Sequence, residues 1–422
     1  MAEINKESSN KQGYKETKLG LIPKEWKVLS LGKIGEFSKG KGVAKKDILE
    51  TDVKGFSSIR YAEIYTLYDY YTHSLRTKIN EESARNSNPI NNGDILFAGS
   101  GETLEDIGKS VAYLGNETAY AGGDIIILKQ NSQDSQYLGY LLNNDMVRNQ
   151  LFKLGQGHSV VHIYSSGLKK VLIPLPPLLE QQKIAQILAT WDKAIALQEQ
   201  LIAEKQALKK GLMQQLLTGK KRFPGFTKEW KEVRLEELAE VKRGTGSQYI
   251  TYVDGSDENA IRLIRITDFL SNDPKYILKT EATGRFILRE GDLLIAGTGA
   301  TAGISFEVPK DFSGLVFSYN APRIRVNEKI KKEFLIYYLK SGMIISQQLG
   351  LFTGNAQPFL DTKAIRRFKI FLPSISEQIK ISKILSELDS EINGSIEKNE
   401  FLKQQKQGLM QQLLTGEKRV KI

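Results

Sequence analysis

The chain has 422 residues, 60 Lys and Arg against 49 Asp and Glu, a formal charge of +11, and no cysteine. Its length suits about two to four compact domains, and its charge suits an acidic partner such as nucleic acid. The missing thiols exclude disulfides, Cys-ligated zinc, iron–sulfur clusters and thiol nucleophiles, and they suit a reducing cytoplasm.

Residues 1–19 read as a polar tail. The opening Met1-Ala2-Glu3-Ile4-Asn5-Lys6 lacks an apolar core, so no secretory signal is expected. Residues 20–176 read as a first globular body of mixed α and β character. Short apolar runs at 93–99, 123–128 and 171–175 end in turn residues, with a helical pattern over 138–154. The most apolar run, 171–179, holds three prolines and falls short of the ~20 apolar residues a bilayer needs.

Residues 177–219 read as a long helix. From 180 to 217 there is no proline and one glycine, and Ile184, Leu188, Trp191, Ile195 and Ile202 form a coiled-coil-like stripe. Residues 220–373 read as a second mixed body, with apolar runs at 291–297, 321–326 and 368–372 and a helical pattern over 332–349. Residues 374–422 read as a second long helix and tail, with the stripe Ile381, Leu385, Leu388, Ile392 and Leu409. A fully helical stretch of 38 residues, 180–217 or 377–414, spans roughly 57 Å. Pro176, Pro177 and Pro373 fit just upstream, and Gly219 and Gly416 suit C-caps. So narrow a stripe must be buried, and the obvious partner is the other long helix, packed antiparallel. Gln198, Lys205, Ser395 and Asn399 interrupt the stripes, and Gly394 sits inside the second helix.

The two halves repeat. Residues 211–219 (GLMQQLLTG) recur unchanged as 408–416, an offset of 197. The same offset pairs Glu180-Gln181 with Glu377-Gln378 and Asp192 with Asp389. Upstream the register drifts: Gly93-Asp94 matches Gly291-Asp292, and Lys24-Glu25-Trp26-Lys27 matches Lys228-Glu229-Trp230-Lys231. Shared ends with divergent middles fit either a duplication kept for fold alone or two modules on one scaffold with different specificities; divergence confined to the middles, as selection on what they bind would produce, favours the second. An approximate two-fold relation between the halves follows.

Charge is uneven. Residues 1–179 carry net +2, 180–219 +1, 220–376 +7 and 377–422 +1. Basic and polar residues gather in corresponding loops. The first holds Lys39, Lys41, Lys45 and Lys46; its counterpart holds Lys242, Arg243, Thr245, Ser247 and Gln248. Arg60 follows in the first body, Arg262 and Arg265 in the second. Ser100 lies in the glycine turn Gly99-Ser100-Gly101, and Thr298 and Thr301 lie in the matching turn over 297–303. Such side chains suit phosphates and base edges, and are the candidate DNA contacts, with Gln357. The two bodies are expected to lean unequally on phosphate contacts.

No catalytic or metal-binding pattern stands out. Ile107-Gly108-Lys109-Ser110 resembles the end of a phosphate loop, but Thr103 occupies the required glycine position. The turn over 297–303 lacks dinucleotide-binding spacing. All three histidines, His73, His158 and His162, lie in the first half, and His158 and His162 lack accompanying ligands. Neither Asn88-Pro89 nor Pro176-Pro177 completes an amino-methyltransferase motif.

These residues bring one family into view. Residues 175–184 followed by 211–219, together with 20–26 and 223–230, resemble the specificity subunit of type I restriction–modification enzymes. Gly354-Asn355-Ala356-Gln357 fits the pattern too, whereas His158-Ser159-Val160 departs from it. The resemblance implies two target recognition domains, each reading half of a split sequence in double-stranded DNA. It implies that the long helices set the spacer. It also implies docking of two modification subunits, which methylate adenine with S-adenosylmethionine, and of restriction subunits, which use ATP and Mg²⁺. No catalytic residue, metal or cofactor is then expected in this chain. A self-sufficient DNA-modifying enzyme and a purely structural coiled-coil adaptor are the alternatives.

Overall fold

The computed structural model describes residues 12–50, 53–103, 105–157, 161–271, 273–352 and 358–422. The chain forms two compact units, and both cut across the long helices. The first runs to Gln198 and adds Lys398–Ile422; the second is Glu199–Glu397.

In the first unit a five-stranded sheet has the order Glu36–Lys39, Ile125–Lys129, Ile95–Ala98, Ser110–Tyr113 and Tyr71–Thr72. Only its last pair is parallel. A four-stranded sheet has the order Thr77–Ile79, Phe56–Ile59, Ala119–Ala121 and Asn88–Ile90, with a parallel central pair. Strand alternation feeds two cores. Ile95, Phe97, Ile126 and Leu128 pack with Tyr137, Leu141, Ile184 and Leu188. Leu96, Ala98, Ile125 and Ile127 join Ile59, Ile64 and Val111. Burial on both faces explains why these strands read as unbroken apolar runs.

The second unit repeats this plan. One sheet has the order Ala239–Lys242, Arg323–Val326, Leu293–Ile295 and Ser305–Glu307. The other runs Tyr252–Val253, Lys275–Leu278, Ala260–Ile264 and Val316–Phe317, its last pair parallel. Helices Lys332–Leu339 and Gly342–Phe352 stand where the first unit has Ser135–Leu142 and Asp145–Phe152.

The long helices are Leu178–Leu216 and Ile375–Leu414, each starting two residues before the proline-free run reads as helix. Gly219 (φ +69°) and Gly416 (φ +74°) close them in the left-handed region, as glycine C-caps do. In the first unit Ile184, Ala185 and Leu188 pack with Met410, Leu413 and Leu414. In the second, Ile381 and Leu385 pack with Leu212, Met213 and Leu216. The start of one helix meets the end of the other, which is the antiparallel arrangement. Ile392 is buried on the stripe as expected, but so are the polar Gln198, Ser395, Asn399 and Lys406. Among the described residues no helix is long and apolar enough to cross a membrane.

The second helix runs unbroken through Gly394, where an added Cβ would meet nothing within 4 Å. Gly394→Ala should therefore stabilise the second unit by about 1 kcal/mol, since glycine costs roughly that much in a helix interior. A denaturation midpoint that stays put or falls would contradict this.

Candidate nucleic-acid interface

Each unit is closed by two polar clusters whose residues repeat at the 197-residue offset, except that Trp26 and Trp230 stand 204 apart. In the first unit Glu180, 0% exposed, accepts from Trp26 Nε1 (3.1 Å) and from Arg419 Nε and Nη2 (2.6 and 2.9 Å). In the second, Glu377 accepts from Trp230 Nε1 (3.0 Å) and from Arg222 Nε and Nη2 (2.9 and 2.7 Å). The other cluster ties a body helix to both long helices. Tyr140 donates to Asp192, which also pairs with Lys406; Tyr337 donates to Asp389, which pairs with Lys209. Burial, then the neighbouring carboxylate, raises both phenols far above the usual tyrosine range, so both keep the donated proton. These clusters anchor the bodies from which the loops that differ between the units project.

The first unit's loop turns through Gly42 (φ +76°) and Val43 (φ +59°). Lys41, Lys45 and Lys46 beside this turn are exposed and form no ion pair among the described residues. Lys39 lies 3.5 Å from Asp124, both well exposed. Arg60 precedes helix Tyr61–Thr66, where its backbone N–H donates to Glu63 (2.8 Å) and its guanidinium lies 3.7 Å from the same carboxylate. Ser100 is buried, with its hydroxyl 3.0 Å from His162 Nδ1, and so is turned inward.

The second unit is built differently. Lys242 donates to the Arg285 carbonyl (2.9 Å) and lies over Phe286. Arg243 donates to the Tyr319 hydroxyl (2.7 Å) and stacks on the same ring, 4.1 Å from its centroid. Gly244 is required sterically, because a Cβ there would lie 2.2 Å from the Ser318 carbonyl oxygen. Arg262 and Arg265 both bind the fully buried carboxylate of Asp268, at 3.0 and 3.1 Å. Arg265 also donates to the Asp273 carbonyl (2.5 Å). Both guanidiniums are thus tied to a carboxylate of the protein.

Beside Arg265 opens a cleft of about 880 Å³. It gathers six of the sequence candidates: Thr245, Ser247, Gln248, Arg265, Thr298 and Thr301. Sequence reasoning missed Tyr252, Tyr319 and Asn320, which line it as well. Tyr319 and Asn320 immediately precede an expected strand at 321, a loop position that could have flagged them. Lys242, Arg243 and Arg262 are not part of the lining. Gln357, Gly354 and His158 lie outside the described residues. Among the described residues, no group of three His, Cys, Asp or Glu side chains is placed to hold a metal.

The chain matches the type I restriction modification DNA specificity domain twice, over residues 23–205 and 227–403. It is 26% identical to the type I restriction enzyme MjaVIII specificity subunit of Methanocaldococcus jannaschii, covering 97% of both chains. It is 23% identical to the EcoKI specificity subunit of Escherichia coli, covering 84% of this chain and 83% of that one. Among solved structures, it resembles the S subunit of M. genitalium with a TM-score of 0.55 at 16% identity, covering 92% and 96% of the two chains. A chain from a study of assembly and conformational transition in the type I R-M system gives a TM-score of 0.62 at 19% identity, covering 94% and 99%. At those identities the structures speak for the fold alone.

Proposed function

Because the chain belongs to the family of type I restriction–modification specificity subunits, we propose that each compact unit reads one half of a bipartite target in double-stranded DNA. The long helices set the spacer between the half-sites and dock two modification subunits. Adenine methylation with S-adenosylmethionine, and ATP- and Mg²⁺-dependent restriction, then belong to partner subunits, and this chain contributes recognition and not catalysis.

One observation carries this reading. The two units share a fold and both closing clusters, yet their exposed loops differ in chemistry. Three lysines without an ion pair among the described residues occupy the first. Amide and hydroxyl groups line the second, with Arg265 held by Asp268. A shared scaffold with unlike loops is what two independent readers of different sequences require.

The test is an exchange of residues 225–370 for the corresponding body of another family member, co-expressed with the modification subunit. Mapped methylated adenines should show one half-site replaced and the other unchanged. Replacement of both half-sites would refute independent reading.

A further inference from the structure

The cleft of the second unit holds hydrogen-bonding groups that the protein does not use. Gln248 and Asn320 are exposed, and their carboxamides make no hydrogen bond among the described residues. Thr245 is 0% exposed, and its hydroxyl has no hydrogen-bond partner among the described residues. A buried polar atom without a partner is uncommon in a folded protein and calls for a group that completes it. Arg265, the one cation in the lining among the described residues, is held by Asp268. Among the described residues no carboxylate lines the cleft to repel a nucleic acid.

Which base such a cleft suits follows from donor and acceptor geometry. Arginine reads guanine through O6 and N7, and here it is occupied. A carboxamide offers one donor and one acceptor side by side, which matches N7 and the N6 amino group of adenine. We propose that Gln248 and Asn320 are the specificity-determining side chains of the second unit, that they recognise adenine in its half-site, and that Arg265 holds the reading loops. The inference rests on the reading of this unit as a DNA half-site reader.

The experiment uses the full chain co-expressed with its modification subunits and maps methylated adenines genome-wide. The variants are Gln248→Ala, Asn320→Ala and the pair together. Both side chains are exposed, so folding is expected to survive; a thermal melt checks this. An A·T position of one half-site should become permissive, with discrimination falling about 5- to 150-fold, the range for losing one bidentate base contact. The other half-site and the spacer should stay as they were. Unchanged discrimination in the double variant would overturn the proposal and leave the family reading standing. So would relaxation at a G·C pair, or a uniform drop at all sites, which marks a phosphate contact. A wild-type complex without sequence-defined methylation would instead defeat the family reading, and this proposal with it.

Discussion

Four helix-forming residues inserted after Gln198, with four more after Glu397, are expected to lengthen the DNA spacer and leave both half-sites unchanged. Those are the points where one compact unit ends along each long helix and the other begins. Insertion there preserves the contacts made inside each unit. Asp192 keeps Lys406, and Asp389 keeps Lys209. Four helical residues add about 6 Å. Base pairs rise about 3.4 Å each, so the spacer should grow by about two base pairs. Methylation mapping in the assembled complex reads the result directly. Changed half-site bases with an unchanged spacer would show that the helices do not measure the distance.

Much of this architecture was legible because it is written twice. The exact repeat over 211–219 and 408–416 revealed the duplication, and the missing prolines revealed the helices. Glycines at 219 and 416 marked their ends, since a left-handed residue there strains any side chain with a Cβ. The antiparallel pairing followed from stripes too narrow to stand alone.

The site was only partly legible, for reasons of distance along the chain. Arg265 looked available for phosphate. Its partner Asp268 stands three residues on, at the spacing by which a side chain reaches back to the backbone ahead of a helical turn, and its counterpart pair Arg60 and Glu63 has the same spacing. That signal was present and unread. The partner of Arg243 is Tyr319, 76 residues away, and no local pattern reveals it. Net charge misleads for the same reason. The second body carries the larger excess, +7 over residues 220–376. Yet its loop arginines are engaged internally, while the first unit's Lys41, Lys45 and Lys46 stand free among the described residues. Where a charge points depends on tertiary partners, which counting by segment does not contain.

Arg419→Met is expected to destabilise the first unit by about 2–3 kcal/mol and leave the second unit unaffected. Glu180 is fully buried, and after the substitution only Trp26 Nε1 among the described residues would remain as a side-chain donor to it. Removing one partner of a buried ion pair costs about 3–5 kcal/mol, because a charge is left without compensation. The expected value is lower here because Arg419 keeps 36% of its side chain in water and divides its bonds between Glu180 and Glu25. The damage should reach further than one pair. The tail bearing Arg419 also accepts a hydrogen bond from Tyr14 at the Gly416 carbonyl (2.9 Å). It passes so close to Pro23 that a Cβ on Gly416 would lie 2.4 Å from it. Residues from the two ends of the chain thus close one unit around Trp26. Hydrogen exchange should show lost protection over residues 14–30 and 178–190, with 231–242 unchanged. Pairing Arg419→Met with Glu180→Leu should recover much of the loss, since an apolar pair of similar size carries no stranded charge. If the single variant matches wild type within about 0.5 kcal/mol, the usual range for neutral surface changes, the Glu180 cluster does not hold the unit closed. If the double variant is no better than the single one, lost packing rather than the unpaired carboxylate is the cause.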